Sequence, residues 1–153
     1  METLFLSIQK RIADNMPELS LVDEDYGQLN TEEDTYPVTF PCSLIQVEEI
    51  DWQDLGAGKQ KGTVNIRVKL AIDCYDDTHY TSGTAQKAAE RMLMYKKMHT
   101  QLNMFKGGIL KDDDGIVIDK HFTPMKRVKS VFYSLPGGIK VYEGIYSCQI
   151  LDL

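Results

Sequence analysis

The stretch that most restricts the fold is "TVNIRVKLAIDCY", residues 63–75. Apolar side chains occupy every second position, and mostly polar side chains occupy the positions between them. The apolar set is Val64, Ile66, Val68, Leu70, Ile72 and Cys74, and the other set is Asn65, Arg67, Lys69, Ala71 and Asp73. Successive side chains of a β-strand point to opposite faces, so this alternation predicts a strand with one buried face and one wetter face.

The residues before this strand predict a helix, a loop and a second strand. Apolar residues at helical spacing indicate a short amphipathic helix over 3–15, which Pro17 stops. Residues 19–38 are expected to be mostly loop, with a short extended piece at 19–22. An extended stretch at 40–50 is followed by the Gly-rich connection "DLGAGKQKG", which predicts an antiparallel hairpin with the alternating strand.

The residues after the strand predict a second helix and a second hairpin. The helix is expected at about 84–105 and is ended by Gly107 and Gly108, followed by a turn at "KDDDG" within 109–118. Strands at about 125–134 and 139–151 are joined by the tight turn "LPGG". The predicted buried stripe of the helix consists of Ala85, Ala88, Ala89, Met92, Tyr95, His99 and Leu102.

The order helix, hairpin, helix, hairpin predicts one α+β domain spanning residues 1–153. The expected architecture is a mainly antiparallel four-stranded sheet with two main helices packed on one face. The apolar side of the central strand should face the helix stripe at Ala88, Met92, Tyr95 and His99. Lys69 lies on the opposite side, which is expected to be wet.

Charge and cysteine content restrict the class of protein. A formal net charge of -6 disfavours a fold that grips nucleic acid over its surface. Cys42, Cys74 and Cys148 are odd in number and lie in predicted strands, which favours buried reduced thiols and a cytosolic origin. The start "METLFLSIQKRI" does not have the pattern of a signal peptide, and no apolar stretch is long enough to cross a bilayer.

Two stretches can be compared with ion-binding and phosphate-binding motifs. The acidic run "VDEDYGQLNTEEDTYPVTFPCSLIQ" (22–46) does not fit the calcium loop, because Gly27 and Asp34 fall at the wrong positions when the count starts at Asp23. "GAGK" (56–59) lacks the earlier Gly and the following Ser or Thr of a phosphate loop, and it joins two strands. Both stretches are therefore interpreted as loops.

The remaining candidates for chemistry are isolated. Asp76, Asp77 and His79 in "DCYDDTHY" could bind a metal or act as a general base, but a solvated turn is the favoured interpretation. Cys42 has no His at motif spacing. The one notable basic cluster could contact an acidic partner or a phosphate, but a wetted strand face is the favoured interpretation; it consists of Lys126, Arg127 and Lys129. We therefore predict no catalytic, cofactor-binding or metal site, and no enzyme.

The sequence resembles small proteins of phage and prophage tail modules, particularly those of Bacteroidetes. The residues that carry the resemblance are Tyr26-Gly27-Gln28-Leu29, Phe40-Pro41-Cys42-Ser43-Leu44-Ile45 and the strand at 62–73. The wider relatives are tail-terminator, tail-completion and head–tail joining proteins, which form rings, typically hexameric, at the head-proximal end of the tail tube. The resemblance implies a homo-oligomeric structural protein that contacts tail-tube and neck proteins. It also implies assembly in the bacterial cytoplasm followed by incorporation into the virion.

Two other classes stay open at this stage. An acidic binding module, such as an immunity or inhibitor protein, could dock on a basic partner by charge complementarity. A hydrolase that uses Asp76, Asp77 and His79 is the second alternative.

Overall fold

The computed structural model describes residues 1–107, 109–111, 113–115, 117–120 and 122–152. Two helices and seven strands follow one another along the chain. They are α1 (Glu2–Asn15), β1 (Leu21–Glu24), β2 (Cys42–Gly56), β3 (Lys59–Asp73), α2 (Gln86–Leu102), β4 (Ile109–Lys111), β5 (Val117–Lys120), β6 (Lys126–Leu135) and β7 (Ile139–Asp152). The predicted elements are therefore present in the predicted order. Helix α2 ends at Leu102, about three residues before the predicted end, so the expectation that Gly107 and Gly108 end it is wrong. Gly108 itself and the predicted strand entry at His121 lie outside the described residues.

The main sheet has five strands in the order β1-β2-β3-β7-β6. All neighbours are antiparallel except β1, which runs parallel to the first residues of β2 from Leu21 beside Cys42 to Glu24 beside Ile45. The expectation of a four-stranded antiparallel sheet is thus wrong by one short parallel strand. A strand of four residues shows too little alternation to be distinguished from a loop in the sequence, and its partner is set by tertiary packing.

Both predicted hairpins are confirmed. Strands β2 and β3 are joined by Ala57 and Gly58, which both have positive φ, as two-residue turns that match the twist of a hairpin require. "GAGK" is therefore a hairpin turn. Gly137 and Gly138 have positive φ at the turn between β6 and β7. A smaller sheet pairs β4 with β5, and the described residues 113–115 of the turn expected at "KDDDG" lie between these strands in the chain; Asp112 lies outside the described residues.

Both helices pack on one face of the main sheet, as predicted. The apolar side of β3 is buried there with Leu4, Ile8 and Ile12 of α1 and Tyr95, Met98 and Leu102 of α2. The predicted stripe of α2 is wrong at Met92, which is 59% exposed, and at Ala89, which is exposed. Alanine is found on buried and exposed sides of a helix alike, so the alanines near the start of α2 did not show which side is buried. The buried stripe instead runs through Met98.

The opposite face of the sheet is covered at the end where β2 begins and β3 finishes. The segment 25–41 crosses it there as far as the β6–β7 turn, where the hydroxyl of Tyr36 donates to the carbonyl of Pro136. A second apolar cluster is buried beneath this segment and consists of Leu29, Cys42, Leu44, Ala71, Ile139 and Val141. Tyr36, Val38 and Phe40 of the segment pack against it. The other half of this face, around Thr63, Asn65 and Ser147, carries half-buried polar side chains. The wet face predicted for β3 is therefore only partly wet.

Candidate functional site

The acidic run at 22–46 places one carboxylate inside the protein. Asp25 follows β1 at the point where the chain turns across the sheet, and its side chain is almost fully buried. Its Oδ1 accepts a hydrogen bond from the backbone N–H of Gly27 at 3.1 Å. Its Oδ2 lies 2.8 Å from Nζ of Lys69, an ionic contact that lacks hydrogen-bond geometry. The ion pair ties the covering segment to the centre of β3.

Glu143 on β7 extends this pair into what we call the ionic cluster: Asp25, Glu48, Arg67, Lys69, Tyr133 and Glu143. Glu143 is 2% exposed and accepts hydrogen bonds from Nη1 of Arg67 and from the hydroxyl of Tyr133, each at 2.6 Å. Lys69 Nζ lies 3.8 Å from Glu143 Oε1. Arg67 Nε donates to Glu48 Oε1 at 2.5 Å. Five charged side chains from four segments thus form ion pairs with one another, which offsets the cost of burying Asp25, Lys69 and Glu143.

The electrostatics of the cluster favour a fixed protonation state. Burial raises the pKa of Tyr133, and the hydrogen bond to the Glu143 carboxylate raises it further, so the phenol keeps its proton. Burial opposes the charge of Arg67, but the bonds to Glu48 and Glu143 outweigh it and raise the pKa of the guanidinium. Both oxygens of Glu143 are engaged by donors, which leaves this carboxylate poorly placed for general base chemistry. The arrangement fixes the covering segment.

The structure does not bring Asp76, Asp77 and His79 together as a ligand set. All three are exposed in the loop after β3. The backbone carbonyl of Asp77 accepts hydrogen bonds from the hydroxyls of Ser82 and Thr84, which fold the loop against the start of α2. Among the described residues no group of three or more His, Cys, Asp or Glu side chains is close enough to hold a metal ion.

The cysteines of the two cores are unreactive thiols. Burial raises the pKa of Cys42 to about 12 and that of Cys148 to about 11, so both stay protonated near neutral pH. Cys74 lies one residue beyond β3 and is half-buried. His99 is held by its Nδ1 at 2.9 Å from the hydroxyl of Tyr146, and burial lowers the pKa of its imidazole. None of these contacts forms a nucleophile–base pair.

The two outer edges of the main sheet carry opposite charges. On β6 the side chains of Lys126, Arg127 and Lys129 are exposed, and we call them the basic edge. Because β1 ends beside Ile45, β2 forms the other edge from residue 46 onward. Its exposed carboxylates form the acidic edge: Glu48, Glu49, Asp51 and Asp54. The basic cluster noticed in the sequence is thus one of two complementary surfaces.

The end of the β2–β3 hairpin extends beyond the helices, with residues 51–60 all exposed; we call it the hairpin arm. Trp52 is 44% exposed and lies over Gly62, where an added Cβ would fall 2.9 Å from its ring and 2.6 Å from Ile50. Leu55 and, on the adjoining β7, Leu151 are also exposed. The two exposed large apolar side chains of the arm, with Leu151 on the strand beside it, suit this end of the sheet to protein contact.

The fold has a counterpart among solved structures. It is similar to a chain described as "Virion of native gene transfer agent (GTA) particle", with a TM-score of 0.52 and 8% sequence identity. The alignment covers 97% of this chain and 95% of that chain. No protein-family model matches the sequence, and a search of curated proteins finds no match. At such low identity the likeness concerns the fold.

Among the described residues no helix is long and apolar enough to cross a membrane.

Sequence reasoning missed the ionic cluster and the opposite charges of the two edges. The cluster joins residues as distant in sequence as Asp25 and Glu143, and no local pattern relates them. One signal was available: the segment 19–38 is long for a loop within a compact domain, and such a segment usually packs on something. Contacts between charged residues of this segment and charged residues on the polar side of β3 could therefore have been expected.

Proposed function

We propose that this chain is a structural protein of a phage-like particle, and that it forms a ring at the head-proximal end of the tail as a tail terminator or head–tail joining protein. The observation that carries the proposal is the fold likeness to a chain of a gene transfer agent virion over nearly the full length of both chains. A likeness of that extent involves the whole order of elements and is more than one shared hairpin. The sequence resemblance to phage tail-module proteins supports the same role independently.

The surfaces of the molecule suit a ring subunit. A ring requires two different patches on each subunit, since head-to-tail contacts generate closed rings when the rotation closes. The acidic edge and the basic edge are two such patches on opposite sides of the sheet. The hairpin arm offers a third surface, with exposed Trp52, Leu55 and Leu151, for a tail-tube or neck protein.

The proposal includes where and when the ring forms. The subunits are made in the host cytoplasm and become part of the virion when they meet a completed tail tube. The net charge of -6 separates free subunits at low salt, so we expect monomers in dilute solution and rings at high concentration or on tube ends.

Electron microscopy of concentrated protein mixed with purified tail tubes tests the proposal. We expect rings in the concentrated sample and density at one end of each tube, with tubes alone as the control. Tubes left bare, together with a protein that stays monomeric at every concentration, would count against the proposal. A monomer that instead binds a basic protein in equal amounts would favour the acidic binding module.

A further inference from the structure

We propose that neighbouring subunits join by pairing the basic edge of one copy with the acidic edge of the next, so that the sheet continues from subunit to subunit. This inference rests on the proposed ring function and assigns the surface through which the ring forms. The occupant of each edge is therefore a second copy of this chain.

Both edges have backbone groups available for pairing. Within the described part of the chain, β6 pairs with β7 alone, and β2 lacks a second neighbour beyond Ile45. Exposed edges of this kind invite another strand unless charges or bulges oppose it. Here each edge has a bulge, between Arg127 and Lys129 on β6 and between Val47 and Glu49 on β2. The charges and bulges of both edges thus oppose pairing with unrelated strands.

The charges select one pairing among the three that the edges allow. A two-fold contact of β6 with β6 would place lysines and an arginine opposite one another. A contact of β2 with β2 would do the same with carboxylates, and like charges opposed across strands are destabilising. Only β6 with β2 brings unlike charges together. That contact is heterologous, and heterologous contacts are those from which rings are built.

The strand directions and the register fit this contact. Strands β2, β3, β7 and β6 alternate in direction, so β6 of one copy runs antiparallel to β2 of a copy placed beside it in the same orientation. Glu49 is level with Asn65, Asn65 with Ser147, and Ser147 with Lys126. We call such a row of residues, side by side on neighbouring strands, a rung. Lys126 and Glu49 are the two outermost residues of one rung. When a second copy is placed beside the first in the same orientation, Lys126 of one copy therefore lies opposite Glu49 of the other.

The short extent of the contact predicts that the association is weak and reversible. Lys129 is level with Gln46, and the rungs beyond it belong to the part of β2 that β1 covers. A level contact thus pairs 126–129 with 46–49, a stretch that includes Val128, which is 67% exposed. A few backbone hydrogen bonds and exposed ion pairs contribute little individually, so closure depends on high concentration or on a tube end as template.

Charge reversal tests the pairing. One variant carries Lys126→Glu with Lys129→Glu, and the other carries Glu49→Lys with Asp51→Lys. Arg127 and Glu48 are left unchanged because they contact Tyr95 and Arg67. A control with Lys10→Glu and Lys96→Glu, both exposed on the helices, matches the charge change of the first variant. Thermal melts by circular dichroism confirm that each variant is folded.

Sedimentation velocity at a concentration where the unaltered protein forms rings gives the readout. Each reversed variant alone should associate at least about tenfold more weakly, because positions 126 and 49, which share one rung, now carry charges of the same sign. An equal mixture of the two should form rings again, since positions 126 and 49 carry opposite charges wherever one variant meets the other. The control should assemble as the unaltered protein does.

The outcomes separate this inference from the proposed function. If the unaltered protein forms rings and both reversed variants also do, the edge pairing is wrong while the ring function stands. Loss of assembly in the variants without rescue in the mixture also overturns the pairing. If the unaltered protein forms no rings and leaves tube ends bare, both proposals fail.

Discussion

The two sides of β3 are both buried over much of the strand, but they are stabilised in different ways. One side is entirely apolar and packs under two helices, from Val64 to Ile72. The other side places Arg67 and Lys69 among carboxylates beneath the segment 25–41. The difference teaches that polar alternation in a strand indicates which side is apolar, and does not indicate that the polar side faces water.

The two sides should also respond differently to mutation. In the apolar core the loss of free energy grows with the volume removed and with any polar group introduced. In the ionic cluster, removing one partner leaves a buried charge uncompensated, so even a change of a single atom is costly. The following predictions test this contrast.

The largest effect is expected for Val68→Asp on the helix side. Val68 is completely buried, and an unpaired carboxylate there should lower the free energy of unfolding by more than about 3 kcal/mol. Urea denaturation of the variant and of Val68→Ala, which removes volume without adding charge, measures the difference. A Val68→Asp protein as stable as Val68→Ala would contradict the assignment of this side.

Glu143→Gln should be nearly as damaging, although it changes one atom. The amide cannot balance Arg67 and Lys69, and we expect a loss of about 2–4 kcal/mol in the free energy of unfolding. Glu48→Gln is the matched control, because Glu48 contacts the same arginine from a partly exposed position. Its loss should stay below about 1 kcal/mol. Equal losses of free energy for the two variants would contradict the prediction that the buried Glu143 contributes more to stability than the partly exposed Glu48.

Lys69→Ala should lower the free energy of unfolding by about 1–3 kcal/mol, because Asp25 and Glu143 lose their shared cation. On the wet face predicted from the sequence, the same change would cost well under about 1 kcal/mol. Lys69 is only 9% exposed, which is why the larger value is expected. Lys69→Met, which retains the length of the side chain, separates lost charge from lost packing in the same urea melts. If Lys69→Ala were more damaging than Val68→Asp, the helix-on-sheet assignment would be wrong.

A smaller effect should appear at alkaline pH on both sides at once. Cys42 under the covering segment and Cys148 under the helices have pKa values raised from 9.0 to about 12 and about 11. The unfolded chain loses these protons first, so stability is complete below about pH 9 and falls as the pH rises toward the folded values. Urea midpoints between pH 8 and pH 11 measure the decline, and Cys42→Ala should make it shallower. A midpoint that stays constant over this range would contradict the prediction.

The smallest effect is expected outside both faces, in the loop with Asp76, Asp77 and His79. A solvated loop has no ion to lose, so a chelator should shift the melting temperature by no more than about one degree. Added divalent cations should also leave it unchanged. A metal-dependent shift that Asp76→Asn with His79→Gln abolishes would instead support a metal site and revive the hydrolase alternative.

Much of the fold could be predicted because the signals are local. The strand β3, the two hairpin turns and both helices follow from alternation, glycines and helical spacing within short windows. The extended piece predicted at 19–22 overlaps β1 (Leu21–Glu24), but the parallel pairing of β1 and the course of the covering segment could not be predicted, because four residues show no clear period and their position depends on tertiary packing. The phase of α2 was wrong at Met92 for a similar reason, since alanines do not mark a buried side.

The candidate surfaces could be predicted only in part. The basic cluster at Lys126, Arg127 and Lys129 was visible in the sequence, but its complement was not. Glu49 and Lys126 lie far apart along the chain, and only the registers of three strand pairs place them on one rung. Complementarity between edges is a property of sheet order, which the sequence patterns do not specify.

The position of β3 between β2 and β7 has a consequence for synthesis. One edge of β3 is paired as soon as the hairpin forms, but the other must wait for Ile139–Asp152, which is translated after the other strands of the sheet. Until then a central strand rich in Val and Ile has an open edge, and Arg67 and Lys69 lack Glu143. Nascent chains that stall before β7 should therefore aggregate, and folding should be limited by this late, long-range closure.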